Sequence, residues 1–196
     1  MIGSLPKSLD VSGVSYPIRT DFRIALRILQ AWSDPDLNDR ERIAVMMLCL
    51  YETLPPKEQW EEAGKQAVWF IDGGPMVLEN NPRRYGRVMD WEQDEPIIFA
   101  AVNKVAGYET RAQNYIHWWT FLGLYSEIGE SVYASVLSIR MKKRKNRKLT
   151  KYEEEFYREN RSLIDLKQKL SEEERKGMDE LNELLCQKRP LDRKVN

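Results

Sequence analysis

The sequence predicts a mainly α protein, with a single helical domain of about six or seven helices, a small N-terminal β-hairpin and a charged C-terminal helical extension. Along most of the chain, apolar residues recur at three- and four-residue steps, which is the spacing of one helix face. Strict alternation of apolar and polar residues is confined to residues 9–18, and the balance of charge changes sign after residue 139. We therefore place the helical body and its hairpin in residues 1–139 and the extension in residues 140–196.

Composition indicates a globular protein. Of the 196 residues, 42% are hydrophobic, enough for a sizeable core. No apolar run resembles a secretion signal or reaches the length of a membrane span. The two cysteines, Cys49 and Cys186, are far apart and suggest neither a disulfide framework nor a metal site. We expect a cytoplasmic protein that does not bind membranes.

The hairpin prediction rests on two alternating runs that meet at Ser12-Gly13. A first helix is expected from Asp21 to Trp32, with Thr20 or Asp21 as its N-cap. Its predicted apolar stripe contains Phe22, Ala25, Leu26, Leu29 and Trp32.

The next helices are also marked by local signals. Asn38 and Glu41 resemble a capping box, and residues 43–51 are apolar almost all round, so we expect this second helix at the centre of the core. A third helix should follow Pro55-Pro56 and stop at Gly73-Gly74, before a loop over residues 75–88.

A fourth helix is expected from Pro96 to Gly107, with Ile97, Ile98, Ala101, Val102 and Val105 facing inward. Residues 115–139 predict either one long helix or two helices with a bend near Gly123 and Gly129.

The C-terminal part begins with a dense positive run, since eight of the twelve residues from Arg140 to Lys151 are basic and none is acidic. Such a run needs an anionic neighbour. Acidic protein and phosphates are both suitable, and so is a solvated helix end or pairing with residues 153–155. The candidate partner-binding cations are Arg140, Lys142, Lys143, Arg144, Lys145, Arg147 and Lys148.

Beyond this run, Tyr152, Phe156, Leu163, Leu166 and Leu170 predict a narrow apolar seam on an exposed helix. The last four are also candidate partner-binding residues. The body of the domain or a second chain, by self-association, is expected to cover the seam. Ser171 and Glu174 predict a new helix with Met178, Leu181, Leu184 and Leu185 as its apolar residues.

No catalytic, cofactor-binding or metal-binding residue is predicted, and we expect no enzyme. His117 is the only histidine, so a transition-metal site lacks ligands and a packed, hydrogen-bonded role is favoured. Asp90, Glu92, Asp94 and Glu95 suit a divalent cation or acid-base work, but their place at a helix start favours interaction with the helix dipole. Residues 72–75 lack the spacing of a phosphate-binding loop.

Aromatic residues are adjacent at Trp69-Phe70 and at Trp118-Trp119. In each pair, the two side chains cannot both point to the same face of a helix. We therefore expect one member of each pair near the surface, where an exposed tryptophan is typical of a contact site.

Five blocks together resemble a known family: residues 17–23 (PIRTDFR), 69–74 (WFIDGG), 89–94 (MDWEQD), 117–122 (HWWTFL) and 155–160 (EFYREN). In this order, over residues 4–170, they are similar to a bacteriophage and prophage protein family of Gram-positive hosts, encoded in the tail gene cluster just before the tape-measure protein. The resemblance implies a tail-assembly chaperone of long-tailed phages (siphoviruses), acting in the host cytoplasm. Its implied partners are the tape-measure protein and the tail-tube protein.

Two alternatives stay open. One is a minor structural component of the tail. The other is a nucleic-acid-binding phage protein that uses Arg140 to Lys151, although no recognisable nucleic-acid module is present and nucleic acid is the less favoured partner.

Overall fold

The computed structural model describes residues 3–74 and 87–187, with side chains described as far as Glu180. Those residues form one antiparallel pair of strands and nine α-helices. The elements are β1 Ser8–Val11, β2 Val14–Pro17, α1 Phe22–Trp32, α2 Asp39–Leu50, α3 Trp60–Ile71, α4 Glu95–Ala106, α5 Trp118–Ser126, α6 Val132–Arg144, α7 Lys151–Glu159, α8 Arg161–Ile164 and α9 Glu172–Gln187.

The hairpin is confirmed, with Leu9 opposite Tyr16 and Val11 opposite Val14. Both turn residues have positive φ, 53° at Ser12 and 79° at Gly13, which is the geometry of the tight turns that match strand twist. Leu9 and Val11 are buried, and β1 packs against α3. The hairpin therefore covers one side of the helical core.

The predicted helix boundaries are confirmed wherever a local capping signal marks them. Asn38 and Glu41 form the reciprocal capping box of α2, and the Asp21 side chain caps α1. Gly107 ends α4 with a φ of 77°, a conformation that favours glycine. Residues 115–139 contain two helices, α5 and α6, rather than one. The described helices exceed the predicted six or seven because the C-terminal extension alone contains α7, α8 and α9.

Some apolar side chains that were expected in the core are exposed. Trp32, Ile43, Leu48 and Val105 have exposed fractions of 41%, 38%, 59% and 36%. Helix α2 packs against α1 and α3, so its remaining face has no cover from either helix. The prediction that α2 lies at the centre of the core was therefore wrong for Ile43 and Leu48.

Stacked aromatic rings form the centre of the main core. The Phe22 and Phe121 rings lie parallel with centroids 4.6 Å apart, and Phe99 and Trp118 pack beside Phe121. A smaller cluster gathers the C-terminal elements around Val136, Ile139 and Ile164. Ile97 of α4 contacts both clusters, so α4 joins the C-terminal elements to the body.

An extended segment, residues 18–21, links the end of α2 to the start of α5. The Arg19 guanidinium donates to the carbonyl oxygens of Leu48, Cys49 and Tyr51, which have no partners further along α2. On the other side, the Thr20 carbonyl accepts the Trp118 N–H at 2.7 Å. The family-like block at residues 17–23 therefore connects two helix ends.

His117 is buried and hydrogen-bonded, as the sequence predicted. Its Nδ1 caps α5 by accepting the Trp119 N–H at 3.1 Å, so Nε2 carries the proton and donates to the Pro6 carbonyl at 2.9 Å. Burial lowers the pKa of His117 below 6.5, the Pro6 bond opposes this, and the charge on Lys7 lowers the pKa further. The folded protein thus favours neutral His117.

This pKa predicts that the protein loses stability in mild acid. Below about pH 6.5, the unfolded chain binds a proton at residue 117 that the folded chain does not bind until its own lower pKa is reached. The contribution of neutral His117 to the free energy of unfolding is therefore fully present above about pH 6.5 and decreases as the pH falls toward the pKa of His117 in the folded state. Urea unfolding across this pH range should show the decrease in the wild type and a smaller one in His117→Asn, which keeps a capping side chain. Equal decreases in both proteins would contradict the assignment.

Candidate protein-binding surfaces

Arg140, predicted as part of an exposed binding run, is buried with 6% of its surface exposed. Its guanidinium forms a two-pronged ion pair with Asp94, with Nη1–Oδ2 and Nη2–Oδ1 distances of 2.6 and 2.8 Å. The remaining donors bind the carbonyl oxygens of Val88, Leu163 and Ile164. All five N–H groups of the side chain are therefore used inside the protein, and Arg140 is unavailable to a partner in this fold.

Asp90 and Asp94, the buried members of the predicted acidic patch, are bound by this chain's own donors. The Asp90 carboxylate accepts the backbone N–H groups of Glu92 and Gln93, which supports the helix-start interpretation. It also pairs with Arg87 and Lys169. Burial acts to raise the pKa of Asp90, but the Gln93 N–H, Lys169 and Arg87 together hold the pKa below its ordinary value. Among the residues that the structure describes, no group of side chains is arranged to hold a metal ion.

The other cations of the run divide into two groups. The first group binds this chain's own residues: Lys142 pairs with Glu153, Lys143 pairs with Asp165, and Arg144 donates to the Arg87 carbonyl. One predicted alternative, pairing of the run with residues 153–155, is therefore present for Lys142. Lys145 is exposed at the C-cap of α6. Arg147 and Lys148 are exposed on the turn after α6, where Asn146 adopts a φ of 50°. These two are the cations of the predicted set that are best placed to meet another molecule.

The predicted seam is not one exposed helix, because α7 ends at Glu159 and residues 165–171 are not helical. Phe156 and Leu163 pack with Ile164 against α6, so the chain's own body covers them. Leu166 and Leu170 are partly buried, and Tyr152 stays 72% exposed. Leu181, Leu184 and Leu185 have side chains outside the described residues.

Two family-like blocks meet where α3 ends. Trp118 and Trp119, although adjacent, both donate their indole N–H to α3, at the Ile71 and Phe70 carbonyls respectively, each at 2.8 Å. Trp118 is buried and Trp119 partly exposed, while Trp69 is 40% exposed next to buried Phe70. This confirms that one member of each pair lies near the surface.

The backbone conformation and the close approach of Trp119 both require glycine at position 74. Its φ is +64°, and a Cβ atom there would lie 2.5 Å from the Trp119 ring. The residues 72–74 therefore form a helix stop packed against tryptophan, as the sequence indicated.

An apolar groove that the sequence did not predict lies between α1, α2 and α3. It encloses about 550 Å³ and is lined by Trp32, Ile43, Met46, Trp60, Gly64 and Val68, with Glu61 and Lys65 at its rim. Those two rim charges pair with each other at 2.7 Å. We call this surface the α1–α3 groove. The signal that was available in the sequence is the surplus of apolar residues on α2, more than one buried face requires.

The Arg140–Asp94 pair predicts a strong, non-additive effect on stability. Arg140→Met should lower the free energy of unfolding by about 3–5 kcal/mol, because it leaves Asp94 buried without its counter-charge. Adding Asp94→Asn to Arg140→Met should cost less than the sum of the two single changes. Denaturant unfolding of the four proteins measures the coupling.

Arg147→Met is the matched control from the same run and should change stability by less than about 0.5 kcal/mol. Additive effects of the Arg140 and Asp94 substitutions would mean that the pair does not hold the fold. The predicted domain boundary between residues 139 and 140 falls inside α6. A truncation there would remove Arg140 and leave Asp94 without its partner. Point substitutions therefore test partner binding better than truncation does.

No helix in the part of the chain that the structure describes is long and apolar enough to cross a membrane. The model of a protein family described as "Bacteriophage Gp15 protein" matches residues 1–166. No curated protein and no solved structure matches the chain. The matched range contains all five family-like blocks and most of the described elements, and the chain therefore belongs to the bacteriophage Gp15 protein family.

Proposed function

We propose that this phage protein is a non-catalytic tail-assembly chaperone, which binds an amphipathic helix of the tape-measure protein in the α1–α3 groove and brings tail-tube subunits to it in the host cytoplasm. The family membership supports a phage role, and the resemblance of the five blocks supports the tail cluster. The observation that carries the binding step is the open groove between α1, α2 and α3, whose lining is mainly apolar.

Gly64 is the most informative residue of this groove. It lies in the middle of α3, where glycine costs about 1 kcal/mol relative to alanine, and nothing lies within 4 Å of the position that a Cβ atom would take. The described fold therefore gives no steric reason for glycine here. Gly123 in α5 is equally open, so open space alone does not indicate a partner. What distinguishes Gly64 is that it lines the α1–α3 groove, where the missing side chain leaves room for a partner backbone to approach α3, as at the small residues of packed helices.

The dimensions and chemistry of the groove suit one helix face. From Trp60 to Val68, α3 advances about 12 Å, which is roughly two helical turns. The Trp60 ring is fixed because its indole N–H donates to the Pro55 carbonyl at 3.0 Å. A ligand with apolar residues at positions i, i+3 or i+4, and i+7 fits such a surface. A tape-measure protein, a long amphipathic coil, offers many such segments.

The proposed function includes no catalytic step, and the burial and hydrogen bonding of the candidate acid-base groups support this part of the proposal. Asp90, Asp94 and His117 are all buried and hydrogen-bonded to this chain. None of the three faces the α1–α3 groove.

A minor structural role in the tail is the competing hypothesis, and virion composition separates the two. A chaperone is absent from purified virions, whereas a structural component remains there at a fixed ratio to the tube protein. Quantitative mass spectrometry of purified virions distinguishes these outcomes.

The groove proposal predicts that Gly64→Leu uncouples stability from binding. The substitution should raise the melting temperature, because leucine is the better helix former and space is open. It should weaken binding of a tape-measure fragment at least tenfold, because the side chain fills the groove. Co-expression with tape-measure fragments, pull-down and titration calorimetry measure the binding, and thermal unfolding measures the stability.

Gly123→Leu is the matched control, since Gly123 lies in α5 with equally open space around a Cβ atom but does not line the groove. It should stabilise the protein and leave binding unchanged. Wild-type affinity in Gly64→Leu would exclude the groove as the binding site. If no tape-measure fragment becomes soluble with the wild-type protein, the chaperone proposal itself is wrong.

A further inference from the structure

A second cleft lies between α6 and α7, on the C-terminal part of the chain. It encloses about 540 Å³, with Ala134 and Ile139 of α6 on one side and Tyr152 and Phe156 of α7 on the other. The two aromatic rings stack with centroids 6.5 Å apart, and Tyr152 is 72% exposed. Phe156 is partly buried against α6, so Tyr152 is the ring that the cleft presents to solvent. Serine and threonine side chains complete the lining.

A positively charged turn adjoins this cleft and contributes Thr150 to its lining, although none of the cations of the turn lines the cleft itself. Residues 146–150 of the connection between α6 and α7, and the first residue of α7, Lys151, together form what we call the basic turn. It contains Arg147, Lys148 and Lys151, all exposed. The turn is ordered, because the Arg147 N–H donates to the Lys142 carbonyl at 2.8 Å in the pattern that closes many helix ends. Within the described residues, no acidic group pairs with these three cations.

The acidic groups that line the cleft offset little of this charge. Lys142 neutralises Glu153 through contacts of 2.6 and 2.8 Å. Glu130 lies before the start of α6, away from the basic turn. A suitable occupant therefore combines apolar side chains with negative charge.

Helix α9 of this same sequence has that combination. Its sixteen residues include six acidic and two basic side chains, a net charge of −4. Every described residue of α9, from Glu172 to Glu180, is exposed, including Met178 at 50%. The sequence repeats an apolar residue three and seven positions after Met178, the spacing of one helix face.

The chain's own α9 does not occupy its own cleft. The start of α9 is held at the corner between α1 and α2, where Asp36 accepts the Glu172 N–H at 2.8 Å and pairs with Arg175 at 3.4 Å. Among the residues of α9 whose side chains the structure describes, Glu172 to Glu180, none lines the cleft between α6 and α7. A helix from another copy is free of this restriction.

We propose that the cleft between α6 and α7, with the basic turn beside it, binds the acidic helix α9 of a second copy of this chain. Helix α9 combines a net charge of −4, which complements the basic turn, with an apolar residue repeated three and seven positions after Met178, which suits the Tyr152 side of the cleft. Two copies that exchange their α9 helices form a closed, symmetric dimer. This interface is separate from the α1–α3 groove.

Light scattering during size-exclusion chromatography tests the proposal on nuclease-treated full-length protein without any tail protein. The wild type should form a dimer that weakens at least tenfold between about 0.05 M and about 0.5 M salt, because salt screens the charges. Two variants should be monomeric: Tyr152→Ser/Lys148→Glu, which alters the cleft, and Met178→Lys, which alters α9. All three substitutions are at exposed positions, and an unchanged helical circular dichroism spectrum with cooperative unfolding verifies that the variants fold, although loss of the dimer lowers their melting temperature.

Mixing the two variants provides the decisive measurement. Each variant retains the surface that the other lacks, so the mixture should regain one of the two contacts and form a heterodimer. Glu180→Lys is the control on the opposite face of α9, and it should weaken dimerisation less than Met178→Lys although it changes the charge more.

Three outcomes would overturn the proposal. The first is a wild-type protein that stays monomeric at about 100 µM, a concentration at which interfaces of micromolar affinity are filled. The second is a mixture of the two variants that does not associate. The third is association that occurs only while nucleic acid is bound. The last outcome would assign the basic turn to nucleic acid.

Discussion

The buried ion pair between Arg140 and Asp94 is the interaction on which the C-terminal half of the structure depends. A buried guanidinium is tolerated only when its charge is matched and its donors are used. Asp94 matches the charge, and carbonyl oxygens of Val88, Leu163 and Ile164 accept the remaining N–H groups. One side chain thereby fixes the positions of α6, the start of α4 and the end of α8. The small apolar cluster around Ile139 and Ile164 forms beside it.

The family-like blocks have a common physical role in this fold. The Arg19 side chain satisfies the end of α2, Trp118 and Trp119 satisfy the end of α3, and Asp90 satisfies the turn before α4. Three of the five blocks therefore supply polar partners for backbone groups that helices leave unsatisfied. Tyr157, in the last block, donates instead to the side-chain carboxylate of Asp165. The resemblance to the family consequently describes how the chain folds, and the surfaces that face solvent lie mostly between the blocks.

Local signals in the sequence were sufficient for much of the secondary structure. The hairpin turn at Ser12-Gly13, the capping box at Asn38 and Glu41, and the stop at Gly107 depend on neighbouring residues only, and each is where the sequence indicated. Long-range pairing was not accessible in the same way. Nothing near Arg140 distinguishes it from Lys142 or Arg147, because its counter-charge is 46 residues away.

Helix faces were predicted less well than helix ends for a related reason. An apolar stripe identifies a face that avoids water, but it does not identify which element covers that face. For Phe156 and Leu163 the sequence left open whether the body or a second chain covers them, and α6 of the body does so. Ile43 was predicted as core and faces the α1–α3 groove. Periodicity alone gives the same signal for a core contact and for a binding surface.

The small size of the α1–α3 groove limits how tightly one copy can hold a helix. Three fully buried apolar side chains contribute about 1.5–3 kcal/mol each, and the loss of translational and rotational freedom on association offsets a large part of this. A single groove would therefore bind weakly and release its ligand readily, as the proposed chaperone requires. The proposed dimer would carry two grooves, and linked sites gain affinity of about 10²–10⁴ without any new contact. In the proposed function, many weak sites along one coil would hold it in solution, while each separate contact stays reversible.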